Sequence, residues 1–355
     1  MPFYAKVALI FICLFAFVIT MSIGQQIIIP LVYASILGIL INPVVNFLIR
    51  KRINRIISIF ITVTLAVLIV VGFAYAISIQ LTMFSEAVPQ LRKKFDVTSA
   101  EAVGWVSHKL RISQLKINTW IRDTEIDAIN NFSIGDKITK VGELVLTLVL
   151  LPVYLFMILF YKPLLLEFIM KLFDRKHHLA VTEVLINVKK LIQSYLIGLL
   201  FELIIVAGLN SVGLLLIGID YAIILGIIGA ILNVIPYIGG IIAVSLPVAI
   251  AFITKDSYSY PLIVILLYLC IQFIDNHFIM PRVVASRVQL NALISVIAVL
   301  VGGALWGIPG MFLSIPLTAI LKVIFDHIES LKPWGFLLGN TIPTVSEVSM
   351  PPKKN

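Results

Sequence analysis

The fold is decided by an uncharged stretch of 34 residues, residues 221–254, which reads YAIILGIIGAILNVIPYIGGIIAVSLPVAIAFIT. At 1.5 Å per residue, one helix of this length would reach about 50 Å, which exceeds the roughly 30 Å hydrocarbon core of a bilayer. Its centre holds Asn233 and then three helix-disrupting residues, Pro236, Gly239 and Gly240. We therefore predict a helical hairpin that enters a membrane and returns, an arrangement tolerated where the freed backbone faces protein or a watery cavity.

A second uncharged stretch, residues 291–321, has the same character and predicts a second hairpin. Its interruption holds Gly302, Gly303, Gly307, Pro309 and Gly310, and the Gly303-x-x-x-Gly307 spacing favours close helix packing. Each stretch also carries a Ser-x-Pro element after its glycines, ending at Pro247 in the first and Pro316 in the second. This similarity predicts an inverted internal repeat, the plan of many secondary transporters.

The composition assigns the whole chain to the membrane. Of its 355 residues, 60% are hydrophobic and only 13% are charged, whereas soluble domains carry about 25% charged residues. The net charge of +9 is explained by lysines and arginines in the loops between apolar runs, so we expect no nucleic-acid partner. Further spans are predicted at residues 7–23, 27–49, 56–80, 144–161, 191–219 and 258–274.

Charge placement sets the expected topology. With the N-terminus in the cytoplasm, the basic clusters that follow the second and fourth spans lie inside. Counting both hairpins as returning to the side they left also puts Arg282, Arg287 and Lys322 inside. We therefore predict an all-α, multi-pass protein of the bacterial cytoplasmic (inner) membrane with both termini in the cytoplasm.

The predicted organisation has five parts. They are a three-span scaffold (1–80), an extracytoplasmic amphipathic helical insert (81–143), a fourth span with a cytoplasmic linker (144–190), a block with the two hairpins (191–325) and a cytoplasmic tail (326–355). Membrane lipids are the expected surroundings, and the small-residue faces are compatible with a homo-oligomer.

No enzyme signature occurs in the sequence. The H-E-x-x-H zinc motif, the phosphate-binding loop and the G-x-S-x-G nucleophile elbow are all missing, so we expect neither an enzyme nor a nucleotide-driven pump, and no cofactor or metal. The informative residues are polar groups inside the apolar runs, which are functional candidates by default. Glu202 and Asn233 lie inside such runs, and Gln272, Asp275, Asn276 and His277 form the densest polar cluster near a membrane face.

Each of these groups also has a structural interpretation. Glu202 could lie beside an aqueous cavity or pair with a polar side chain such as Gln193, and Asn233 could cap a broken helix. Asp275 could form a structural ion pair with Arg282, which follows Pro281, or act as a gating or coupling carboxylate. We predict a solute or ion pathway along these polar groups and the glycines of both hairpins, with Pro247, Pro281, Arg282 and Pro316 in gating or structural roles.

Several motifs resemble the autoinducer-2 exporter family, also called PerM-like permeases. They are Asn233-Val-Ile-Pro-Tyr-Ile-Gly-Gly240, the stretch from Asp275-Asn276 to Pro281-Arg282, Gly302-Gly303, Gly307-Ile-Pro-Gly310 and Ser314-Ile-Pro316. The family often has glutamate where this chain has Asp275, which keeps the charge on a shorter side chain. The resemblance covers nearly the whole chain and is strongest over residues 191–325.

The resemblance implies secondary transport of a small polar solute, with export of the quorum-sensing signal autoinducer-2 as the family's namesake activity. Some members resemble sodium (or lithium)/proton antiporters instead, which would use the carboxylates Glu202 and Asp275. A third alternative is a non-transport membrane assembly protein whose function resides in residues 81–143. An exporter predicts solute efflux, an antiporter predicts cation-dependent proton flux, and an assembly protein predicts neither.

Overall fold

A computed structural model of the protein describes residues 2–110, 134–235, 239–255, 257, 259–285 and 290–340. The nine longer helices are α1 (Phe3–Ile23), α2 (Gln25–Arg50), α3 (Arg55–Leu110), α4 (Ile134–Lys171), α5 (His178–Ile217), α6 (Ala222–Asn233), α7 (Gly239–Thr254), α8 (Ser259–Ile274) and α9 (Ala292–His327). Two π-helical turns, Asp275–Ile279 and Pro281–Ala285, continue α8, and a short helix α10 (Lys332–Leu338) follows α9.

Seven helices of the described chain are long and apolar enough to cross a membrane. They lie at Tyr4–Ile23, Gln25–Arg50, Arg55–Ile79, Val149–Lys171, Arg175–Ile217, Ser259–Val283 and Ala292–His327. Helices α6 and α7 are equally apolar but have only 12 and 16 residues, so they rise about 18 and 24 Å, short of a full span. Helix α3 continues beyond its apolar part as far as Leu110.

The exterior of the bundle is largely apolar, unlike the surface of a water-soluble protein, and several polar side chains are buried inside it. Side chains such as Leu216 and Phe15 are more than half exposed, whereas Ser58, Asn210 and Asp275 are buried. Water would penalise so much exposed apolar surface, whereas lipid chains solvate it without cost. The prediction of a multi-pass, all-α membrane protein is confirmed.

Hydrophobic clusters between the helices hold the bundle together. Helices α2, α3 and α4 meet around Ala34, Ile59 and Leu155. Helices α5 to α8 meet in a second cluster, around Leu225 and Val264. A third cluster joins α2, α5 and α9, so that α2 and α5 connect the two halves of the protein.

Two of these helix contacts are made at carbonyls that prolines leave free. Because proline has no N–H, Pro43 leaves the Ile39 carbonyl without its helical donor, and Gln193 Nε2 on α5 donates to that oxygen over 2.7 Å. Pro163 in α4 likewise frees the Leu159 carbonyl, which accepts from Arg55 Nη2 of α3 over 3.1 Å. In a membrane no water can serve these carbonyls, so a donor from a neighbouring helix does.

Helices α6 and α7 form a hairpin whose two ends come together. Asp220, just before α6, and Lys255, just after α7, form an ion pair with 3.6 Å between Oδ2 and Nζ. The segment therefore leaves one end of the bundle and returns to it, as the length of the uncharged stretch predicted. In the first half of α6, Gly226 packs so closely on Ser211 of α5 that a Cβ there would collide with the serine backbone.

Helix α9 is also folded back on itself, at Gly307, whose φ of 63° and ψ of −143° are not helical. Gly302 and Gly310 would be about 12 Å apart in a straight helix, yet a Cβ on either would collide with the carbonyl oxygen of the other. The ends of α9 also lie near each other, because Asn291 Nδ2 donates to the carbonyl of Leu337, beyond the helix end, over 2.7 Å.

The two hairpins open toward opposite ends of α5, as an inverted repeat predicts. Asp220 follows the C-terminal end of α5, whereas His327, at the end of α9, lies 4.0 Å from Glu183 near its start. The Ser-x-Pro elements also match, since Ser245 and Ser314 each donate to the carbonyl three residues earlier and precede a buried proline. How deeply each hairpin enters the membrane stays a prediction.

Candidate functional site

The described residues on the two sides of the break between α6 and α7 lie close together. After Asn233 the helix closes with bonds from the Val234 and Ile235 N–H groups to carbonyls three residues earlier, and Gly239 N–H then donates to the Ile235 carbonyl over 2.9 Å. A Cβ at Gly239 would collide with the Leu232 carbonyl oxygen, so only glycine fits there. Pro236, the other predicted residue of this break, lies outside the described residues.

Asn233 connects this break to the end of α8. Its Nδ2 donates to Asp275 Oδ2 over 2.9 Å, and Asp275 begins the π-helical turn that follows α8. The Asp275 side chain is 2% exposed, and its second oxygen, Oδ1, has no hydrogen-bond partner among the described residues. The Asn233 amide therefore holds the Asp275 carboxyl through Oδ2, and Oδ1 is available to accept a further hydrogen bond.

Gly240 and Gln272 complete the cluster. A Cβ at Gly240 would lie 2.7 Å from Gln272 Oε1 and 3.4 Å from Asn233 Oδ1, so both amides approach the bare glycine backbone. Gln272 Nε2 also makes a long contact of 3.4 Å with Oδ1 of Asn276, whose side chain is exposed. We call Asn233, Gly240, Gln272 and Asp275 the amide–carboxyl cluster; it combines residues from both sides of the hairpin break with the end of α8.

Glu202 lies beside this cluster on α5. It is 7% exposed, its Oε2 has no partner among the described residues, and its helix packs on the π-helical turn that carries Asp275. Two carboxylates in a low-dielectric site are costly unless a cation or a proton neutralises them. The suggested pairing of Glu202 with Gln193 is wrong, because Gln193 donates to the Ile39 carbonyl.

Arg282 does not pair with Asp275, so of the two interpretations of Asp275 the structural ion pair is wrong. The exposed guanidinium contacts the Phe278 carbonyl over 3.5 Å and lies 5.6 Å from the centre of the Phe278 ring. The cause is the π-helical backbone after α8, which buries Asp275 and leaves Pro281 and Arg282 exposed. Asp275 is therefore available for a role other than structural pairing.

The predicted residues of the second hairpin lie apart from the amide–carboxyl cluster. Gly303 packs against Met311, and Gly307 and Gly310 make the turn described above. The Pro309 carbonyl accepts a hydrogen bond from Tyr33 on α2 over 3.2 Å. Pro247 and Pro316 are buried inside α7 and α9. Helix α9 packs on α1, α2, α5 and α10, so α5 connects the two hairpins.

Two polar residues near the site were missed by the sequence reasoning. Asn210 Oδ1 and Tyr268 Oη are buried without hydrogen-bond partners in the described chain. Both approach Gly229, where a Cβ would lie 3.2 Å from Asn210 Nδ2 and 3.0 Å from Tyr268 Oη. For Asn210 the spacing along the sequence was a usable signal. It lies two i+4 steps after Glu202, and the two residues share the buried face of α5.

Comparison with known proteins gives one consistent result. Residues 9–330 match the family described as AI-2E family transporter. YueF of Bacillus subtilis, named as a candidate transport protein, is 25% identical over 85% of this chain and 84% of its own. TqsA of Escherichia coli, named as an AI-2 transport protein, is 23% identical over 86% of this chain and 87% of its own. PerM of Escherichia coli, named as a candidate permease, is 27% identical over 54% of this chain and 56% of its own.

Proposed function

The chain belongs to the AI-2E family of transporters, and on that premise we propose that it is a secondary transporter that exports a small polar solute. Autoinducer-2 is the proposed solute, because TqsA carries that name and the chain is similar to it over 86% of its length. The match to the family over residues 9–330 includes both hairpins and the amide–carboxyl cluster. We also propose the bacterial inner membrane as its location, since the matched relatives are bacterial.

The amide–carboxyl cluster is the observation that carries this proposal. A hydroxyl-rich solute needs donors and acceptors that are oriented before it arrives, and the two amides and the carboxyl supply both. The bare backbone at Gly240 allows the Gln272 and Asn233 amides to approach it closely, so glycine at this position brings the polar groups of the cluster together. These groups surround a helix break, where backbone groups released from the helix add further polar partners.

The paired hairpins supply a route to alternating access. They open toward opposite ends of α5, and α6 and α7 are each too short to span a bilayer. We propose that α6 and α7 enter the membrane as two half-spans. Movement of one hairpin against α5 would then expose the amide–carboxyl cluster to each side of the membrane in turn. The placement of lysines and arginines supports cytoplasmic termini in this arrangement.

The proposal is tested by efflux from proteoliposomes that contain the purified full-length protein and labelled autoinducer-2. We expect efflux above that of protein-free liposomes, and we expect Asn233→Leu and Gln272→Leu each to reduce the initial rate at least about tenfold. Ser245→Ala is the matched control, because this exposed serine on α7 bonds only to the Ile242 carbonyl of its own helix. Efflux equal to that of protein-free liposomes would remove autoinducer-2 as the solute.

A sodium (or lithium)/proton antiporter is the second candidate, and the paired carboxyls favour it. Glu202 Oε2 and Asp275 Oδ1 are both buried and unpartnered among the described residues, as a site that exchanges a proton for a cation requires. An entrapped pH dye would report proton flux when sodium, lithium or potassium is added outside the same liposomes. A cation-specific signal that disappears in Glu202→Gln and Asp275→Asn would establish antiport, and its absence with every cation would exclude it.

A further inference from the structure

A pocket separate from the amide–carboxyl cluster lies at the basic end of the bundle, where α2 ends and α5 begins. Its volume is about 320 Å³, and it is lined by Asn42, Pro43, Asn46, Phe47, Arg50 and Lys189. We call it the basic pocket. It is large enough for a phosphate group with its substituents, and it opens at the level where the apolar part of α2 gives way to charged residues.

The charges around the basic pocket have one sign. Arg50 and Lys189 line it, and Lys162 of α4 reaches its wall by donating from Nζ to Asn42 Oδ1 over 2.9 Å. Lys162 also lies close enough to Lys189 and Arg55 to be repelled by both. No carboxylate lines the pocket in the part of the chain that the structure describes. Gathered cations without acidic partners destabilise a protein unless an anion neutralises them.

Asn42 adds a directed donor to this field. It is 5% exposed, and because its oxygen accepts from Lys162, its orientation is fixed with the amide nitrogen as the remaining polar atom. That nitrogen, Nδ2, has no acceptor among the described residues. A buried donor without an acceptor costs free energy, so Asn42 adds an unsatisfied N–H group beside the pocket and no negative charge.

The outer edge of the pocket faces lipid. Phe47 is 56% exposed, and Val44, on the same helix, is 42% exposed. A lipid in this pocket would place its phosphate group among the cations and its acyl chains along the apolar surface of α2. Basic pockets between transmembrane helices at the level of the headgroups bind anionic lipids in this way.

We propose that the basic pocket is a binding site for the phosphate group of an anionic phospholipid headgroup. Arg50, Lys189 and Lys162 neutralise the phosphate charge, and Phe47 packs against the acyl chains. The lipid joins α2, α4 and α5, the helices that connect the N-terminal helices to the block with the hairpins. This inference is independent of the transported solute.

The test is lipid binding by the purified full-length protein in neutral detergent, measured by native mass spectrometry and by the unfolding temperature during lipid titration. The probes are phosphatidylglycerol, phosphatidylcholine and inorganic phosphate. We expect phosphatidylglycerol to bind and to raise the unfolding temperature, and phosphatidylcholine to have little effect. An equal rise with inorganic phosphate alone would assign the pocket to a soluble anion and overturn the lipid proposal.

Two variants separate a binding site from a structural contact. Arg50→Gln combined with Lys189→Gln should weaken phosphatidylglycerol binding at least about tenfold. Asn42→Asp keeps the contact with Lys162 and the side-chain shape but places a negative charge in the wall, so binding should be lost while the unfolding temperature without lipid is maintained. Lys190→Gln removes the same charge next to the pocket and is the control. Wild-type binding by the first two variants, or an equal loss in the control, would overturn the proposal.

Discussion

Asn233 Nδ2 and Asp275 Oδ2 lie 2.9 Å apart, and their hydrogen bond joins the broken end of α6 to the π-helical turn after α8. The two residues are 42 positions apart in the chain, and no other side-chain hydrogen bond connects these two elements among the described residues. The contact fixes an amide and a carboxyl at the hairpin break, where the proposed solute is bound. Its loss should affect both the stability and the transport activity of the protein.

Asn233→Leu should lower the unfolding temperature of the detergent-purified protein. The change leaves Asp275 with two unpartnered buried oxygens, at a cost of about 1–3 kcal/mol, more if the carboxyl is charged. Thermal unfolding followed by intrinsic fluorescence measures it, with Ser245→Ala as the control that removes only a bond within one helix. Equal unfolding temperatures for Asn233→Leu and the wild type would show that the bond does not contribute to stability.

The Gln193–Ile39 contact predicts a rescue. Gln193→Leu leaves the Ile39 carbonyl without a donor and should destabilise the protein by about 1–3 kcal/mol. Pro43→Ala restores an N–H group that can reach the same carbonyl within α2. Gln193→Leu should therefore cost clearly less in the Pro43→Ala background than in the wild type.

A double-mutant cycle on these two positions measures the coupling free energy by chemical or thermal unfolding. A positive coupling of about 1 kcal/mol would support the explanation by a proline-freed carbonyl. If the two changes are additive, Gln193 stabilises the contact between α2 and α5 by packing alone.

Gly226→Ala should force α5 and α6 apart. A Cβ at this position would lie 2.8 Å from the Ser211 Cα and still closer to its Oγ and N, and backbone atoms cannot move aside cheaply. We expect a loss of about 1–3 kcal/mol in unfolding free energy. Gly208→Ala on α5 is the matched control, since nothing lies within 4 Å of its added Cβ. A smaller effect in Gly226→Ala than in the control would contradict the close approach of the two helices.

The breaks in the two long uncharged stretches could be predicted from the sequence, because the length and the composition of each stretch both argue against a single straight helix. Residues 221–254 are too long for one span, and the prolines and glycines at their centre mark the break. The Asp220–Lys255 ion pair brings the two ends of this segment together, and its re-entry into a membrane stays a prediction. In the second stretch, the close approach of Gly302 and Gly310 shows that α9 folds back on itself. Hydropathy also placed the break between α1 and α2 near Gly24.

Contacts between distant helices could not be predicted in this way. Nothing in a single sequence shows that Gln193 meets Ile39, or that Asn42 meets Lys162, because apolar helices pack on one another with little sequence specificity. The π-helical turn at Asp275 had no sequence signal either, and it turned the expected ion pair with Arg282 into a bond with Asn233. The cluster residues were therefore predicted individually, but their partners were not.

The depth and direction of the first hairpin can be tested by labelling from one side of the membrane. Starting from a variant with Cys13→Ser and Cys270→Ser, single changes Asp220→Cys and Ser257→Cys place thiols at the two ends of the α6–α7 hairpin, and Lys176→Cys places one at the basic end. A membrane-impermeant maleimide applied to intact spheroplasts should label the first two and not the third if, as we propose, the hairpin returns to the side that it left and the basic end lies in the cytoplasm. Lysed spheroplasts provide the control that all three thiols react. Labelling of only one of the two hairpin ends would mean that residues 221–254 cross the membrane, and labelling of the basic end in intact spheroplasts would invert the topology.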